Sequence, residues 1–228
     1  MPETRIGKAI HSALEDALQG RPLERALERA RPTLDSEAER QRFDTLSPAI
    51  PAFVARIQGF RRRRRVGREL VEHQLAVRDD LSTTSFFAPN AFYRGVFDAA
   101  YVYDDDQLAI VDHKTGVRHP RASIVEQLQG YAVLAAAHIR SVRRVWLGVH
   151  WVAHGSVEWA PPLTYGEINQ HLFPPLMDNI EAAALAVDDG PRPNPTDWCQ
   201  RCSYRSICPE GRAARLEPVE DEEPSAEF

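Results

Sequence analysis

Two aspartates and one lysine have the residue types and the spacing for metal-assisted hydrolysis. Asp98 stands in the segment GVFDAAYVY, and Asp112 and Lys114 stand in the segment LAIVDHKTG. Carboxylate oxygens suit Mg²⁺ or Mn²⁺, and a water held by such an ion can attack a phosphorus atom. An ammonium group beside them can orient that water and offset charge in the transition state. The three residues are therefore candidates for hydrolysing a phosphodiester bond.

The strands that carry these residues must also bring them together. Successive strand residues point to opposite faces, so Asp112 and Lys114 share a face while His113 turns away. If residues 104–106 form the turn of a hairpin, the pairing register places Asp98 opposite Asp112. Two carboxylates and one ammonium group are then predicted on one face of the sheet.

A structural ion pair is the alternative interpretation of the same residues. From spacing alone the two interpretations are about equally good, because two aspartates and a lysine recur by chance. Lys114 is nevertheless unusual, since Lys8 is the only other lysine in an arginine-rich sequence. A compact ammonium at this position favours a chemical role that a planar guanidinium cannot take.

The bulk composition is that of an ordinary folded protein. Of the 228 residues, 43% are hydrophobic and 27% are charged. No apolar run approaches the roughly 18 residues of a membrane span, and the N-terminus lacks the apolar segment of a signal peptide. We therefore predict a cytoplasmic protein without a membrane partner. The net charge of −5 argues against a nucleic-acid partner, but six carboxylates stand in residues 217–228, so the remainder is close to neutral.

Hydrophobic periodicity predicts helices before about residue 68 and mainly strands after it. The helices are expected at residues 5–19, between Pro22 and Pro32, and from a cap at Asp35 to beyond Phe53. Strands are expected at residues 68–77, 91–103, 107–114, 143–152 and 157–159. Further helices are expected at residues 121–139 and 165–187. This order predicts an α/β fold with a small mixed central sheet flanked by helices.

Five short motifs, taken in order, resemble the PD-(D/E)XK nuclease superfamily. The likeness is greatest to its RecB-like branch, which includes CRISPR-associated exonucleases and AddB nuclease domains. The matching segments are residues 7–11 (GKAIH), 71–72 (VE), 95–98 (GVFD), 112–116 (DHKTG) and 127–131 (QLQGY). Each motif alone is weak, but five in the right order, over about residues 5–210, form a strong pattern.

The resemblance implies a restriction-endonuclease-like core with two additions. A helical N-terminal region at residues 1–67 carries the histidine motif, and the nuclease core follows at 68–190. A cysteine-rich loop and short helix are expected at 191–212. The acidic tail at 213–228 is expected to be disordered.

The resemblance also implies roles for individual residues. The metal ligands are His11, Asp98, Asp112 and the backbone carbonyl of His113, and Lys114 is catalytic. Gln127 and Tyr131 lie four residues apart on one helical face, where they can reach a phosphate or a base.

Four residues of these motifs have an ordinary structural alternative. His11 can be a satisfied surface or core histidine, and Glu72 a solvated strand residue. Gln127 can be a capping amide, and Tyr131 a half-buried core aromatic.

Three cysteines, Cys199, Cys202 and Cys208, have the spacing C-x2-C-x5-C. The resemblance implies that such a triplet joins a fourth cysteine, upstream of the histidine motif, around an iron-sulfur cluster. No cysteine precedes Cys199. The alternatives are a start site placed too far downstream, a cluster with another fourth ligand, a zinc site with a histidine, or a relic that binds nothing.

The leading hypothesis is an Mg²⁺- or Mn²⁺-dependent deoxyribonuclease. Its DNA substrate would be met in recombination, repair, CRISPR adaptation or phage defence, with a protein partner in such a complex. The second hypothesis is a non-catalytic nucleic-acid-binding or scaffolding module that keeps the fold. The third is a zinc-stapled interaction domain with an incidental Asp-x-Lys sequence.

Overall fold

Amphipathic periodicity in the first sixty residues produces a layer of helices. The computed structural model describes residues 2–63, 65–116, 122–188, 199, 202 and 204–213. Its N-terminal helices are α1 (Pro2–Leu18), α2 (Leu23–Ala30), α3 (Glu37–Leu46) and α4 (Ala49–Arg63). Apolar residues of α1, α3 and α4 pack together in one buried cluster, against one face of the sheet.

The prediction of one long helix from Asp35 to beyond Phe53 is wrong in two respects. The cap is Ser36, whose hydroxyl accepts a hydrogen bond from the Glu39 N–H at 3.2 Å. The helix then stops near Ser47 and a new one begins at Ala49. Pro48 lacks the N–H that would continue the hydrogen-bond ladder.

The central sheet is mixed, as predicted. Its strands are β1 (Val66–Val77), β2 (Thr83–Thr84), β3 (Tyr93–Tyr103), β4 (Gln107–Lys114), β5 (Arg144–Trp151), β6 (Ser156–Trp159) and β7 (Leu163–Thr164). The strand order is β2-β1-β3-β4-β5-β6, with β7 paired to β5. Only the pairing of β4 with β5 is parallel among the described strands. This architecture is consistent with a restriction-endonuclease-like fold.

Helix α5 (Ala122–His138) makes the crossover that parallel strands β4 and β5 require. It packs against β1, β3 and β5 without joining the cluster formed by α1 and α4. The sheet is therefore covered by α5 on one face and by the N-terminal helices on the other.

The hairpin between β3 and β4 has the predicted register. Its backbone pairs run from Ala99 with Val111 to Val102 with Leu108. Continuing this register by one residue places Asp98 opposite Asp112. The short turn thus fixes the level at which the two carboxylates stand.

The chain after β7 is helical again. Helix α6 (Tyr165–Glu167) leads through a π-helical turn (Ile168–Leu172) into α7 (Phe173–Asp188), and α8 spans Pro209–Ala213. Residues Met1–Phe173 form one compact unit and Pro174–Phe228 a second. Residues 189–198 and the acidic tail from residue 214 lie outside the described residues. No described helix has the length and apolar character needed to cross a membrane.

Two glycines, Gly130 on α5 and Gly95 on β3, allow the helix and the strand to lie close together. A Cβ built on Gly130 would stand 1.9 Å from the Tyr93 hydroxyl oxygen. One on Gly95 would stand 2.6 Å from Leu134 Cδ1. By contrast, a Cβ on Gly59, inside α4, would come no closer than 3.5 Å to Arg63 Nη2.

Gly130→Ala and Gly59→Ala are expected to change stability in opposite directions. Overpacking against Tyr93 should lower the free energy of unfolding by about 1–3 kcal/mol. Alanine at the uncrowded position 59 should raise it by about 0.5–1 kcal/mol through helix propensity. Urea unfolding of both variants measures the difference. Equal stabilisation by the two substitutions would contradict the tight contact between α5 and β3.

Candidate metal centre

Strands β1 and β3 lose regular pairing at one level of the sheet. The backbone pairs on either side of this level are Val71 with Ala99 and His73 with Phe97. Glu72 and Asp98, which face each other between those pairs, are not paired themselves. Glu72 has a φ of 47°, a left-handed conformation that costs a non-glycine residue on the order of 1–3 kcal/mol.

Side-chain alternation along β3 reverses at the same level. The Phe97 ring lies 5.3 Å from the Tyr131 ring on α5, whereas Ala99 packs in the cluster with α1 and α4. Residues two apart on a regular strand would share a face. Asp98 stands at the reversal, where its carboxylate meets His11 of α1 and the backbone N–H of His113.

His11 of α1 joins the two irregular carboxylates. Its Nδ1 lies 3.5 Å from Asp98 Oδ1 and 3.7 Å from Glu72 Oε1. Its Nε2 lies 2.9 Å from the His113 carbonyl oxygen. A carbonyl only accepts, so Nε2 carries the donated hydrogen and Nδ1 is the nitrogen that faces the carboxylates.

The charges in this group are mutually dependent. Burial disfavours the charged form of His11, but hydrogen bonds to Asp98 and Glu72 outweigh it and raise the pKa to about 10. Burial also opposes ionisation of Asp98, yet the bond to His11 holds the pKa of Asp98 below its usual range. Asp98 Oδ2 accepts the His113 N–H at 2.6 Å as well. In the absence of a metal, protonated His11 therefore supplies the cation that the carboxylates need.

His11, Glu72 and Asp98 have the geometry of a metal-binding group. Within the described residues, one potential ligand atom from each lies within 4.8 Å of those of the other two. Asp112 is adjacent to this group through Asp98 and is 1% exposed. Carboxylate oxygens with one imidazole nitrogen form a donor set that accepts Mg²⁺ or Mn²⁺.

A second, connected set of contacts fixes Lys114. Its Nζ lies 2.8 Å from Asp112 Oδ2 and donates to Gln127 Oε1 at 2.8 Å. Gln127 in turn donates through Nε2 to the Tyr131 hydroxyl at 2.6 Å. The lysine is thus held between a strand carboxylate and an amide of α5.

Asp112 is only partly neutralised by this contact. Its Oδ2 is buried and receives no well-aligned hydrogen bond from the described residues. Burial and the charge of Asp98 raise the pKa of Asp112 to about 6, although Lys114 acts in the opposite direction. A buried oxygen of this kind is a natural ligand for a cation.

The side chain of His113 turns away from the carboxylates into the core. Its Nδ1 lies 3.0 Å from His150 Nδ1, and the His150 ring stacks on Phe53 at a centroid distance of 3.9 Å. Burial lowers the pKa of His113 to about 3 and that of His150 to about 4. His113 and His150 are therefore a neutral pair in the core. They lie behind the backbone of His113, whose carbonyl contacts His11 and whose N–H contacts Asp98.

An open cleft of about 720 Å³ collects these groups. It is lined by Gly7, Lys8, His11, Ser12, Glu15, Glu72, Asp98, Asp112, His113, Lys114, Thr115, Gly116 and Gln127. The structure thus brings together all the residues for which the sequence predicts a catalytic or metal-binding role, except the cysteines. Tyr131 joins them through Gln127.

Two residues of the centre have no role predicted from the sequence. Glu72 belongs to the Val71-Glu72 motif, which is a signal for it, and a solvated strand residue is its alternative interpretation. His150 carried no signal, because only the parallel pairing of β4 with β5 sets it opposite His113.

The cysteines belong to the second unit. Cys208 Sγ accepts the Gly211 N–H at 3.3 Å and lies 3.6 Å from Glu210 Oε2. The three sulfurs do not form a cluster within 4.8 Å among the described residues, and residues 200, 201 and 203 between them are outside that set. An iron-sulfur or zinc site there stays a prediction.

Comparison with known proteins gives one match. A family model described as the PD-(D/E)XK nuclease superfamily matches residues 1–209. A search of curated proteins finds no match.

The buried histidine pair predicts acid sensitivity of the metal-free protein. An unfolded histidine takes up a proton near pH 6.5, whereas His113 and His150 remain neutral in the fold until about pH 3 to 4. Stability should therefore fall as pH drops below 6.5, by up to about 1.4 kcal/mol per pH unit for each histidine.

His150→Leu removes one of these two titrating groups. Urea unfolding in EDTA between pH 6.5 and 4.5 should show a shallower loss of stability for this variant than for the parent. His154→Leu, at an exposed position, should keep the parent slope. Parallel slopes for His150→Leu and the parent would refute the neutral pair.

Proposed function

The chain belongs to the PD-(D/E)XK nuclease superfamily, and we propose that it is a divalent-metal-dependent nuclease that hydrolyses phosphodiester bonds of DNA. The observation that supports this proposal best is one cleft that contains two neighbouring groups. One group is His11, Glu72 and Asp98, and the other is the ion pair of Asp112 and Lys114. DNA is chosen because the five ordered motifs resemble the RecB-like branch.

The residues of the cleft fit Mg²⁺ or Mn²⁺. Asp98 and Asp112 offer carboxylate oxygens, and Glu72 extends the predicted set. His11 offers Nδ1 because the His113 carbonyl holds its other nitrogen, a partner of the kind that orients metal-bound histidines. When bound, the ion would lower the pKa of a water ligand and neutralise charge on the phosphate.

Lys114 is the proposed electrostatic catalyst. An ammonium has three N–H donors, of which one donates to Gln127, while the contact with Asp112 is an ion pair. A remaining N–H can donate to the attacking water or to a non-bridging phosphate oxygen. Because Lys114 is held from both sides, it need not reorganise as negative charge develops on the phosphate.

Gln127 and Tyr131 are proposed to position Lys114. The amide accepts from the lysine through Oε1 and donates through Nε2 to the tyrosine hydroxyl. Burial raises the pKa of Tyr131, so its hydroxyl stays protonated. The same amide lines the cleft and can contact a phosphate.

The wider role is proposed from the RecB-like resemblance. It comprises recombination, repair, CRISPR adaptation or phage defence, in a complex with a protein partner and in the cytoplasm. Cys199, Cys202 and Cys208 are proposed to hold an iron-sulfur cluster or zinc with a structural role.

Lys114→Ala should abolish most of the nuclease activity. Loss of one preorganised donor should lower kcat by about 100- to 1,000-fold. Cleavage of single- and double-stranded DNA in Mn²⁺ measures the effect. Lys8→Ala is the matched control, since Lys8 is the other lysine and is exposed at the cleft wall.

The control should stay within a few-fold of the parent. Equal activity of Lys114→Ala and the parent would exclude the proposed mechanism. DNA binding by the parent without cleavage, over several metals, would instead favour a non-catalytic binding module.

Glu72→Gln and Asp98→Asn should weaken Mn²⁺ binding. Each change replaces a charged ligand by a neutral amide, and we expect the Kd to rise at least about tenfold. Calorimetric titration of the metal-free protein measures the Kd directly. Glu15→Gln, in the same cleft but outside the three-residue group, should bind Mn²⁺ like the parent. Unchanged affinity in both ligand variants would remove this group as the metal site.

A further inference from the structure

The loop between β1 and β3 presents an aromatic side chain to solvent. Phe87 is 80% exposed, and Phe92, at the end of the same loop, is 37% exposed. The Phe87 ring rests edge-on against the half-buried Phe86 ring, at a centroid distance of 5.1 Å. An exposed aromatic ring can stack on a nucleic-acid base, because every base has a π-face.

The loop has a defined conformation that supports the ring. Arg94 donates from Nε to the Phe86 carbonyl at 2.6 Å and from Nη2 to the Ala88 carbonyl at 3.0 Å. The Ala88 N–H closes a turn on the Ser85 carbonyl at 3.0 Å. Phe87 therefore stands at the tip of a braced turn and loses little conformational freedom when a ligand covers it.

The loop lies on the face of the sheet that carries α1. Tyr93 and Gly95 of β3 face α5, through Gly130 and Tyr131, so Arg94 between them points to the opposite face. Arg94 precedes Asp98 by four residues, roughly 13 Å of strand. That distance equals about four stacked nucleotides at 3.4 Å each.

We propose that Phe87 is a base-stacking contact for a single-stranded segment of the nucleic-acid substrate. It would act about two to four nucleotides from the bond that the cleft hydrolyses. The inference rests on the proposed nuclease function and adds to it a substrate form and a second contact point.

The chemistry of the loop favours a base over a protein surface. One phenylalanine side chain offers on the order of 200 Å², far below the roughly 1,000 Å² that a specific protein interface buries. Its near neighbours Ser85 and Asn90 are polar and exposed. Arg94 makes no ion pair within the described residues, so its charge is available for a backbone phosphate beside the stacked base.

Steady-state cleavage of single-stranded DNA tests the proposal. Stacking of one base on an aromatic ring contributes on the order of 1–3 kcal/mol, which corresponds to a KM about 5- to 150-fold higher for Phe87→Ala. Because the ring is remote from the metal centre, kcat should stay within about threefold. Phe87→Trp should keep the KM of the parent, because it retains an aromatic face. Phe87→Leu is apolar but has no aromatic face, so it should behave like Phe87→Ala.

Abasic substrates locate the contact. With the parent, removing one base two to four nucleotides from the cleaved bond should raise KM, whereas with Phe87→Ala the same removal should have no further effect. Thermal unfolding should be unchanged in all three variants, since the side chain is exposed. If the parent cleaves DNA but Phe87→Ala keeps its KM, or Phe87→Leu matches the parent, stacking is excluded while the nuclease function stands. If the parent cleaves no nucleic acid, both proposals fall.

Discussion

Three carboxylates cannot share one level of a sheet interior unless positive charge is placed among them. Glu72, Asp98 and Asp112 stand on neighbouring strands, and the register of the paired residues beside them, extended to these positions, places the three at one level. Burial and mutual repulsion would raise the pKa of such groups, as is the case for Asp112. Two basic side chains contact this row, His11 of α1 beside Asp98 and Lys114 of β4 beside Asp112.

Much of the architecture can be understood as a support for this row. Helix α1 brings His11 over Asp98 and Glu72, while α5 brings Gln127 to Lys114. The break in pairing at Glu72 and Asp98 lets their carboxylates leave the regular alternation of the strands. The left-handed conformation of Glu72 costs backbone strain, and the surrounding packing holds the residue in that conformation.

The sequence contained the parts of the centre that depend on local rules. A two-residue period and a short polar turn predict the register of the hairpin, which the pairs from Ala99 with Val111 to Val102 with Leu108 confirm, and its extension by one residue places Asp98 opposite Asp112. Five ordered motifs added His11, Gln127 and Tyr131, and all of them meet in or beside one cleft. Helix boundaries were less well predicted, since Pro48 divides a pattern that looked continuous.

What the sequence did not reveal depends on distant pairing and on irregular backbone. The contact between His113 and His150 requires the register of two parallel strands joined by α5, which no local pattern encodes. The Val71-Glu72 motif indicates Glu72 but not its contacts, because its positive φ and missing backbone pair exist only when β1 meets β3. Two-residue strands such as β2 are too short to show a period.

We propose that a divalent cation takes the place of the positive charge of His11 among these carboxylates. Anomalous diffraction from crystals grown with Mn²⁺ would locate such a cation. We expect an anomalous peak in the cleft, in contact with His11 Nδ1 and with carboxylate oxygens that include Asp98. Crystals of a protein that cleaves DNA in Mn²⁺, but with no peak in this cleft or with manganese only at the cysteines, would contradict it.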